Sequence, residues 1–325
     1  MRLLILLSVL FTLEDVTLKT PTGDVYGTLL RPDSSRSAAV GMTAVAIIIS
    51  GSGPTDRDGN SPLLSGKNDS LKMLAEGLAK QGIASLRYDK RGIAASKPSA
   101  PSESDLRFDT YVDDAVAWGQ KLRKDPRFAT VSYVGHSEGA LIGVIAAQKL
   151  PADKVVSISG AGQPAADLIL AQLYGKVPSG LYVAASNTVD ALKAGHTVAN
   201  PPPELVSLFR TSVQPYLISW FRYDPSAEIG KLKVPVLIVQ GENDVQVSTY
   251  DAQRLAEGNK KAKLILIPGM NHVLKDVDRL TQAKSYSDPT MPIDATLVDS
   301  IATFLKSGDL PPRPAAPLRK RAGRE

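Results

Sequence analysis

The sequence contains no cysteine among its 325 residues. Disulfide bonds, thiolate nucleophiles, zinc sites with thiolate ligands and a lipoprotein anchor are therefore excluded. Histidine is also scarce, with three residues, so there are few candidates for a histidine base. A chain without cysteine tolerates any redox compartment, and its composition does not indicate where it works.

Charge of one sign is not concentrated in the body of the chain. The formal net charge is +5, and residues 319–325 carry four basic side chains and one acidic side chain, which is +3 of that total. The remainder is near neutral, so the sequence lacks the basic surface that binds nucleic acid, and we expect no nucleic-acid partner. We interpret residues 307–325, which are rich in proline and basic residues, as a disordered tail rather than a docking segment.

Long hydrophobic runs are also missing. A helix that spans a bilayer needs about 20 apolar residues, and no segment reaches that length, so we expect no stable membrane insertion. Residues 1–13 resemble the start of a secretory signal, with Arg2 before an apolar stretch, but no small-residue cleavage site follows. An export signal and an ordinary N-terminal segment both stay open, so the location is either cytoplasmic or exported.

The pattern of apolar residues predicts alternating strands and helices. Residues 16–30 predict an antiparallel hairpin around a Pro-Thr-Gly-Asp turn. Six apolar runs typical of buried strands follow, at residues 43–50, 83–88, 131–135, 155–159, 234–240 and 263–267. Helical periodicity separates them, at residues 70–81, 110–124 and 138–150. We therefore predict an α/β domain with a mostly parallel sheet of about eight strands, in residues 14–162 and 230–306.

The alternation fails in residues 163–229, where the connection between two strands is far longer than a crossover requires. This segment has helix-like stretches at residues 165–174 and 205–221, and we interpret it as a helical cap inserted into the sheet domain. Its apolar side chains either form the core of the cap or line a substrate pocket. The residues that we predict to bind substrate are Leu173, Tyr174, Phe209 and Trp220, together with Gly53 from the sheet domain.

A G-x-S-x-G motif occupies residues 135–139, between a predicted strand and a predicted helix. In that context the motif forms a sharp turn that presents its serine, Ser137, at the N-terminus of the helix, where the dipole favours negative charge. Gly135 and Gly139 have no Cβ, so the backbone can close up around the turn. A glycine-rich turn that contains a serine by chance is the alternative. The strand before it and the helix after it favour a nucleophile.

A nucleophilic serine requires a base, and the three histidines differ in their positions. His272 directly follows the last predicted strand, where ligand chemistry collects in open α/β sheets. His136 lies inside the turn and His196 in the predicted cap, and we interpret both as structural or surface residues. Asp244 follows the preceding strand and is predicted to orient the base, with Glu242 as the alternative acid.

A glycine-rich loop, residues 50–54, follows the predicted strand at residues 43–50. It lacks the lysine and the spacing of a phosphate-binding loop. We therefore predict that it supplies one of the two backbone donors of an oxyanion hole. That donor is the amide of Ser52, with Gly53 as the alternative, and its partner is the amide of Glu138.

Together, these motifs resemble the α/β-hydrolase superfamily, in its serine carboxylesterase and serine-aminopeptidase-like branch. The matching pieces are residues 50–54, 88–92, 135–139, 241–244 and 271–272, and they span most of residues 14–306. The order serine, aspartate, histidine is the one expected of this fold. The sequence departs from the family pattern where Ser50 replaces a histidine before Gly51, and where a second glycine is missing after Gly92.

The resemblance implies an α/β-hydrolase fold, an eight-stranded sheet with a helical cap, and a serine hydrolase without metal or organic cofactor. The expected partner is a small-molecule acyl ester of short to medium chain length, cleaved through an acyl-enzyme on Ser137. The oligomeric state is not indicated. A peptidase with the same residues is the alternative, and it would need acidic cap residues such as Asp167 or Glu204 to hold an amine. The third hypothesis is a non-catalytic binding protein with this fold.

Overall fold

Eight strands form one sheet in the computed structural model of the chain, which describes residues 11–32, 42–278 and 280–311. The strands are β1 (Phe11–Thr20), β2 (Gly23–Pro32), β3 (Thr43–Ile49), β4 (Ala84–Tyr88), β5 (Phe128–His136), β6 (Val155–Ile158), β7 (Val236–Gly241) and β8 (Lys263–Ile267). Their order across the sheet is β1-β2-β4-β3-β5-β6-β7-β8. The β1–β2 and β2–β4 pairs are antiparallel and all other pairs are parallel, so β3 to β8 end at the same edge of the sheet.

Helices cover both faces of this sheet. They are α1 (Ser70–Lys80), α2 (Phe108–Arg123), α3 (Glu138–Lys149), α4 (Ala165–Leu173), α5 (Ser179–Lys193), α6 (Val206–Phe209), α7 (Gln214–Trp220), α8 (Pro225–Gly230), α9 (Thr249–Gly258), α10 (Gln282–Ser285) and α11 (Ala295–Ser307). Successive strand residues point to opposite faces, so Ile47 packs in the layer that holds α2 and α3, and Ile48 in the layer that holds α1 and α11. Burial on both faces explains the continuous apolar runs of these strands.

The two ends of the chain differ in part from their predicted organisation. Residues 11–13, which the sequence assigns to the signal-like segment, belong to β1, and Phe11 pairs with Pro32. Residues 1–10, and residues 312–325 of the predicted tail, lie outside the described residues. Within the described ranges, no helix combines the length and the apolar character needed to cross a membrane.

Helices α4 to α8 lie between β6 and β7, the connection that the sequence singles out. The predicted helix at residues 205–221 divides into α6 and α7, because the backbone turns extended at Arg210 and Pro215 sits in the first turn of α7. Helix α8 packs against α3 and α9 of the sheet domain, and Ser226 Oγ donates a hydrogen bond to the Arg254 carbonyl at 2.7 Å. We therefore use the term helical insertion for residues 163–223.

Candidate active site

The turn between β5 and α3 holds Ser137 in a conformation that L-residues rarely adopt, with φ 55° and ψ −122°. Such a backbone costs about 1–3 kcal/mol and persists only where the surroundings enforce it. Here a Cβ on Gly135 would lie 2.1 Å from the Gly139 carbonyl oxygen, and one on Gly139 would lie 2.2 Å from that of Ile49. The amide of Ser137 also donates to the Ile158 carbonyl at 2.9 Å. The two glycines therefore let three chain segments meet at the serine.

Asp244 and His272 form a hydrogen-bonded pair on the loops after β7 and β8. His272 Nδ1 lies 2.8 Å from Asp244 Oδ2, and Asp244 Oδ1 accepts the amides of Gln246 and Val247 at 2.8 and 3.0 Å. Burial acts to raise the pKa of Asp244, but the charge and hydrogen bond of His272 and the two amides outweigh it, and the pKa lies below its ordinary value. The carboxylate is therefore ionised and orients the imidazole.

Gln240 also holds Asp244 in place, and the sequence analysis did not predict this role. Its Nε2 donates to Asp244 Oδ2 at 3.1 Å and to the Val247 carbonyl at 2.9 Å, which fixes the loop after β7. The signal that could have found it is a polar side chain at the end of an otherwise apolar strand. Glu242, the alternative acid, is exposed to solvent.

His136 supports the loop that carries His272. Its Nε2 lies 2.8 Å from the His272 carbonyl oxygen, and the two rings are 4.8 Å apart between centroids. Burial and then the charge of His272 lower the pKa of His136 to about 3, so the ring is neutral and its Nε2–H donates. His136 is buried, whereas His196 is exposed in the helical insertion. His136 therefore has a structural role.

Ser137 and His272 line the same cavity, which has a volume of about 750 Å³. Asp244 occupies Nδ1 of the imidazole and leaves Nε2 for a partner on the cavity side. Within the described residues no hydrogen bond joins the Ser137 hydroxyl to this ring. Such bonds are often long or poorly aligned in free enzymes and tighten with substrate.

The loop after β3 passes directly beside the serine. A Cβ on Gly51 would lie 3.2 Å from Ser137 Cβ and 3.6 Å from its Oγ, so a larger residue would crowd the serine. The next two residues, Ser52 and Gly53, are exposed and line the cavity. In the part of the chain that the structure describes, neither the Ser52 nor the Glu138 amide donates to a protein acceptor. Both amides are therefore free to donate to another group.

The predicted substrate-binding residues divide into two groups. Gly53 and Trp220 line the cavity. Leu173, Tyr174 and Phe209 do not: Tyr174 is 73% exposed, Phe209 is fully buried in the apolar core, and Leu173 packs against that core. The physical reason is the direction of the helices, which pattern alone does not fix.

The cavity wall comes from both the sheet domain and the helical insertion. The main apolar side chains that form it are Leu141, Leu168, Ile169, Leu208, Val213, Tyr216 and Leu217. Within the described ranges, no three acidic or histidine side chains converge in a way that could hold a metal ion.

Comparison with known proteins gives similar relatives for most of the chain. A model of the family described as "Serine aminopeptidase, S33" matches residues 65–207, a range that includes Ser137 and ends before Asp244. Esterase EstD of Thermotoga maritima is 25% identical over 268 residues, which are 82% of this chain and 62% of that protein. The chain thus spans less than two thirds of the length of this curated relative.

Solved structures share the fold at low sequence identity. The Pyrococcus furiosus esterase Pf2001 superposes with a TM-score of 0.57 at 18% identity, covering 91% of each chain. Est1E of Butyrivibrio proteoclasticus, solved with ferulic acid bound, superposes with a TM-score of 0.54 at 18% identity, covering 83% of this chain and 94% of that one. The chain therefore has the α/β-hydrolase fold, and its sequence is similar to a serine-aminopeptidase family model and to an esterase.

Proposed function

We propose that the chain is a serine carboxylic-ester hydrolase that acts on short to medium acyl esters through an acyl-enzyme on Ser137. The observation that carries the proposal is the 2.8 Å hydrogen bond between Asp244 and His272 beside a cavity that Ser137 also lines. The similarity to an esterase supports the same chemistry.

The first half of the reaction forms the acyl-enzyme. His272 Nε2 removes the proton of the Ser137 hydroxyl as Oγ attacks the ester carbonyl, and Asp244 stabilises the resulting imidazolium. The carbonyl oxygen becomes an oxyanion that accepts hydrogen bonds from the amides of Ser52 and Glu138. One such donor is typically worth about 100- to 1000-fold in rate. The imidazolium then protonates the leaving alcohol.

The second half releases the acid. His272 removes a proton from water, the hydroxide oxygen attacks the acyl carbonyl, and the same two amides hold the second oxyanion. When the intermediate collapses, the bond to Ser137 Oγ breaks and the imidazolium returns its proton to the serine. No step requires a group from outside the chain other than water.

The charges that line the cavity favour an ester over an aminoacyl substrate. An aminopeptidase needs a free carboxylate to bind the substrate's amine. Among the described residues that line the cavity, the carboxylates are Glu103 and Glu138, and each is already paired with a cation. Asp167 and Glu204, which the sequence offers for this role, do not line the cavity, and Asp167 lies 3.7 Å from Lys193.

The test uses Ser137→Ala with Ser207→Ala as a matched control, since Ser207 is another serine of the cavity wall. We expect the wild type and Ser207→Ala to hydrolyse a p-nitrophenyl ester and to take one fluorophosphonate label on Ser137. Ser137→Ala should lose both, with a fall in kcat of about 10⁴-fold or more and an unchanged fold by circular dichroism.

Three outcomes would contradict the proposal. Label on another residue, or full activity in Ser137→Ala, would remove Ser137 from the chemistry. Faster cleavage of an aminoacyl p-nitroanilide than of the p-nitrophenyl ester would favour the peptidase.

A further inference from the structure

A buried lysine lies at the candidate site and lines its cavity. Lys90 follows β4 and is 1% exposed. A buried ammonium is costly unless it is paired and hydrogen-bonded. Lys90 Nζ donates to the Gly51 carbonyl at 2.5 Å and to Glu138 Oε1 at 2.8 Å, and it lies 5.1 Å from the ring centroid of Tyr111. The proposed reaction steps use neither the ammonium of Lys90 nor the carboxylate of Glu138.

Both partners of Lys90 belong to the proposed oxyanion hole. Gly51 directly precedes Ser52, whose amide is one proposed donor, and Glu138 carries the other. Peptide groups are planar and trans, so the Ser52 N–H points opposite to the Gly51 carbonyl. An ammonium that holds this carbonyl on one side therefore directs the Ser52 N–H to the other side. Glu138 uses its carboxylate to bind Lys90 and its backbone amide to begin α3. One cation thus joins the two segments that supply the amides.

Charge adds to this geometric effect. Hydrogen bonds in series polarise one another, so a cation on the Gly51 carbonyl makes the Ser52 N–H a stronger donor. The Glu138 carboxylate is 2% exposed and close to the serine, and alone it would repel a developing oxyanion. Pairing with Lys90 offsets that repulsion.

We propose that Lys90 is a positioning residue of the oxyanion hole, which fixes and polarises the Gly51–Ser52 peptide while Glu138 holds the ammonium in place. This inference rests on the proposed function. It accounts for a buried lysine in the turn that follows β4.

The test removes the charge of Lys90 and keeps an unbranched side chain at this position. Lys90→Met should lower kcat by about 100-fold and change KM by less than about threefold, because the affected donor acts only in the transition state. Affinity for a trifluoromethyl ketone, which forms an oxyanion on Ser137, should fall in parallel. Lys90→Arg, which keeps a cation, should restore part of kcat. All rates are referred to the fraction of sites that the fluorophosphonate labels.

A second variant guards against unfolding, since Lys90→Met leaves a buried carboxylate without its partner. The double variant Lys90→Met/Glu138→Gln has no buried charge here and should still show the loss of kcat. The matched control is Arg91→Met, which breaks the neighbouring buried pair with Asp114 and does not contact Gly51. It should lower stability and leave kcat per labelled site unchanged.

The outcomes separate the two proposals. If the wild type carries the label on Ser137 and both Lys90 variants keep full kcat per site, the role of Lys90 is wrong and the hydrolase proposal stands. If kcat falls equally in Arg91→Met, the effect is structural and the role of Lys90 is also wrong. If the wild type takes no label and cleaves no ester, the hydrolase proposal is wrong, and so is the role of Lys90 that depends on it.

Discussion

Single residues around the turn between β5 and α3 show which features a sequence can reveal. Glycine at positions 135 and 139 is required because any Cβ would overlap a backbone atom, and that steric demand is visible as G-x-S-x-G. The contact that supports the loop of His272 is not visible in the sequence in this way. His136 reaches the carbonyl of His272, 136 residues away along the chain, and no local pattern encodes such a contact.

The neutral state of His136 predicts a specific dependence of stability on pH. Its pKa falls from an ordinary 6.5 to about 3 in the folded chain. Between these values the unfolded chain binds a proton that the folded chain does not, so the free energy of unfolding decreases as the pH falls. This group contributes a slope of up to about 1.4 kcal/mol per pH unit in that window.

The variant His136→Gln tests this dependence, because an amide cannot titrate and its NH₂ group can still donate to the His272 carbonyl. Denaturant unfolding from pH 4.5 to pH 7.5 should give a shallower decline than in the wild type, whatever the absolute loss of stability. His196→Gln, at the exposed histidine, should run parallel to the wild type. A decline in His136→Gln as steep as in the wild type would contradict the prediction.

At the scale of elements, strands buried on both faces were the easiest to predict. The run predicted at residues 263–267 coincides with β8, and the other strand boundaries differ by at most a few residues. Helices of the insertion were harder. Helix α5 has no counterpart among the predicted helices, and the predicted helix at residues 205–221 divides at Arg210, because tertiary contacts there override the helical periodicity.

One of those contacts ties the helical insertion to the sheet domain. Glu103, in a short turn before α2, accepts hydrogen bonds from Arg210 Nε at 2.8 Å, from Arg210 Nη2 and from Ser212 Oγ. Arg210 first and then Ser212 lower the pKa of Glu103 against the opposing effect of burial. Both members of the ion pair are partly exposed, so we expect it to stabilise the contact by about 1 kcal/mol.

Glu103→Gln should therefore loosen the insertion locally. Amide hydrogen exchange in residues 206–220 should become about fivefold faster, while the midpoint of global unfolding stays within a degree or two. Glu204→Gln, an exposed acid of the same insertion, serves as the control and should leave exchange unchanged. Unaltered exchange in Glu103→Gln would mean that apolar packing alone holds α6 and α7 in place.

At the scale of the whole molecule, the cavity is the feature that the sequence predicted least well. The order of Ser137, Asp244 and His272 along the chain predicts that the three residues meet, because parallel strands end at a common edge. The pocket walls depend on how the helices tilt across that edge, and an apolar pattern does not distinguish a wall residue from a core residue. Trp220 lines the cavity, whereas Tyr174 points to solvent.

The different positions of Trp220 and Tyr174 give a prediction about acyl-chain preference. Trp220 stacks on Phe108, with ring centroids 5.9 Å apart and planes at 1°, and it lines the cavity. In a series of p-nitrophenyl esters from acetate to laurate, kcat/KM of the wild type should be highest for short chains. Trp220→Ala should shift the optimum by about two carbons toward longer chains, since each buried methylene contributes about 0.8 kcal/mol.

The matched control is Tyr174→Ala, which removes an aromatic ring from the same insertion outside the cavity. Its profile should coincide with that of the wild type. A preference for long chains in the wild type, or an equal shift in both variants, would show that the walls described here do not select the acyl group.

The helical insertion leaves the sheet after β6 and returns before β7, whereas Ser137, Asp244 and His272 all sit on loops of the sheet domain. The insertion thus supplies part of the cavity wall, whereas the groups that would react are held by the sheet domain alone. A protein engineer could exchange residues 163–223 for a foreign segment and obtain a new selectivity while inheriting the reactive groups unaltered.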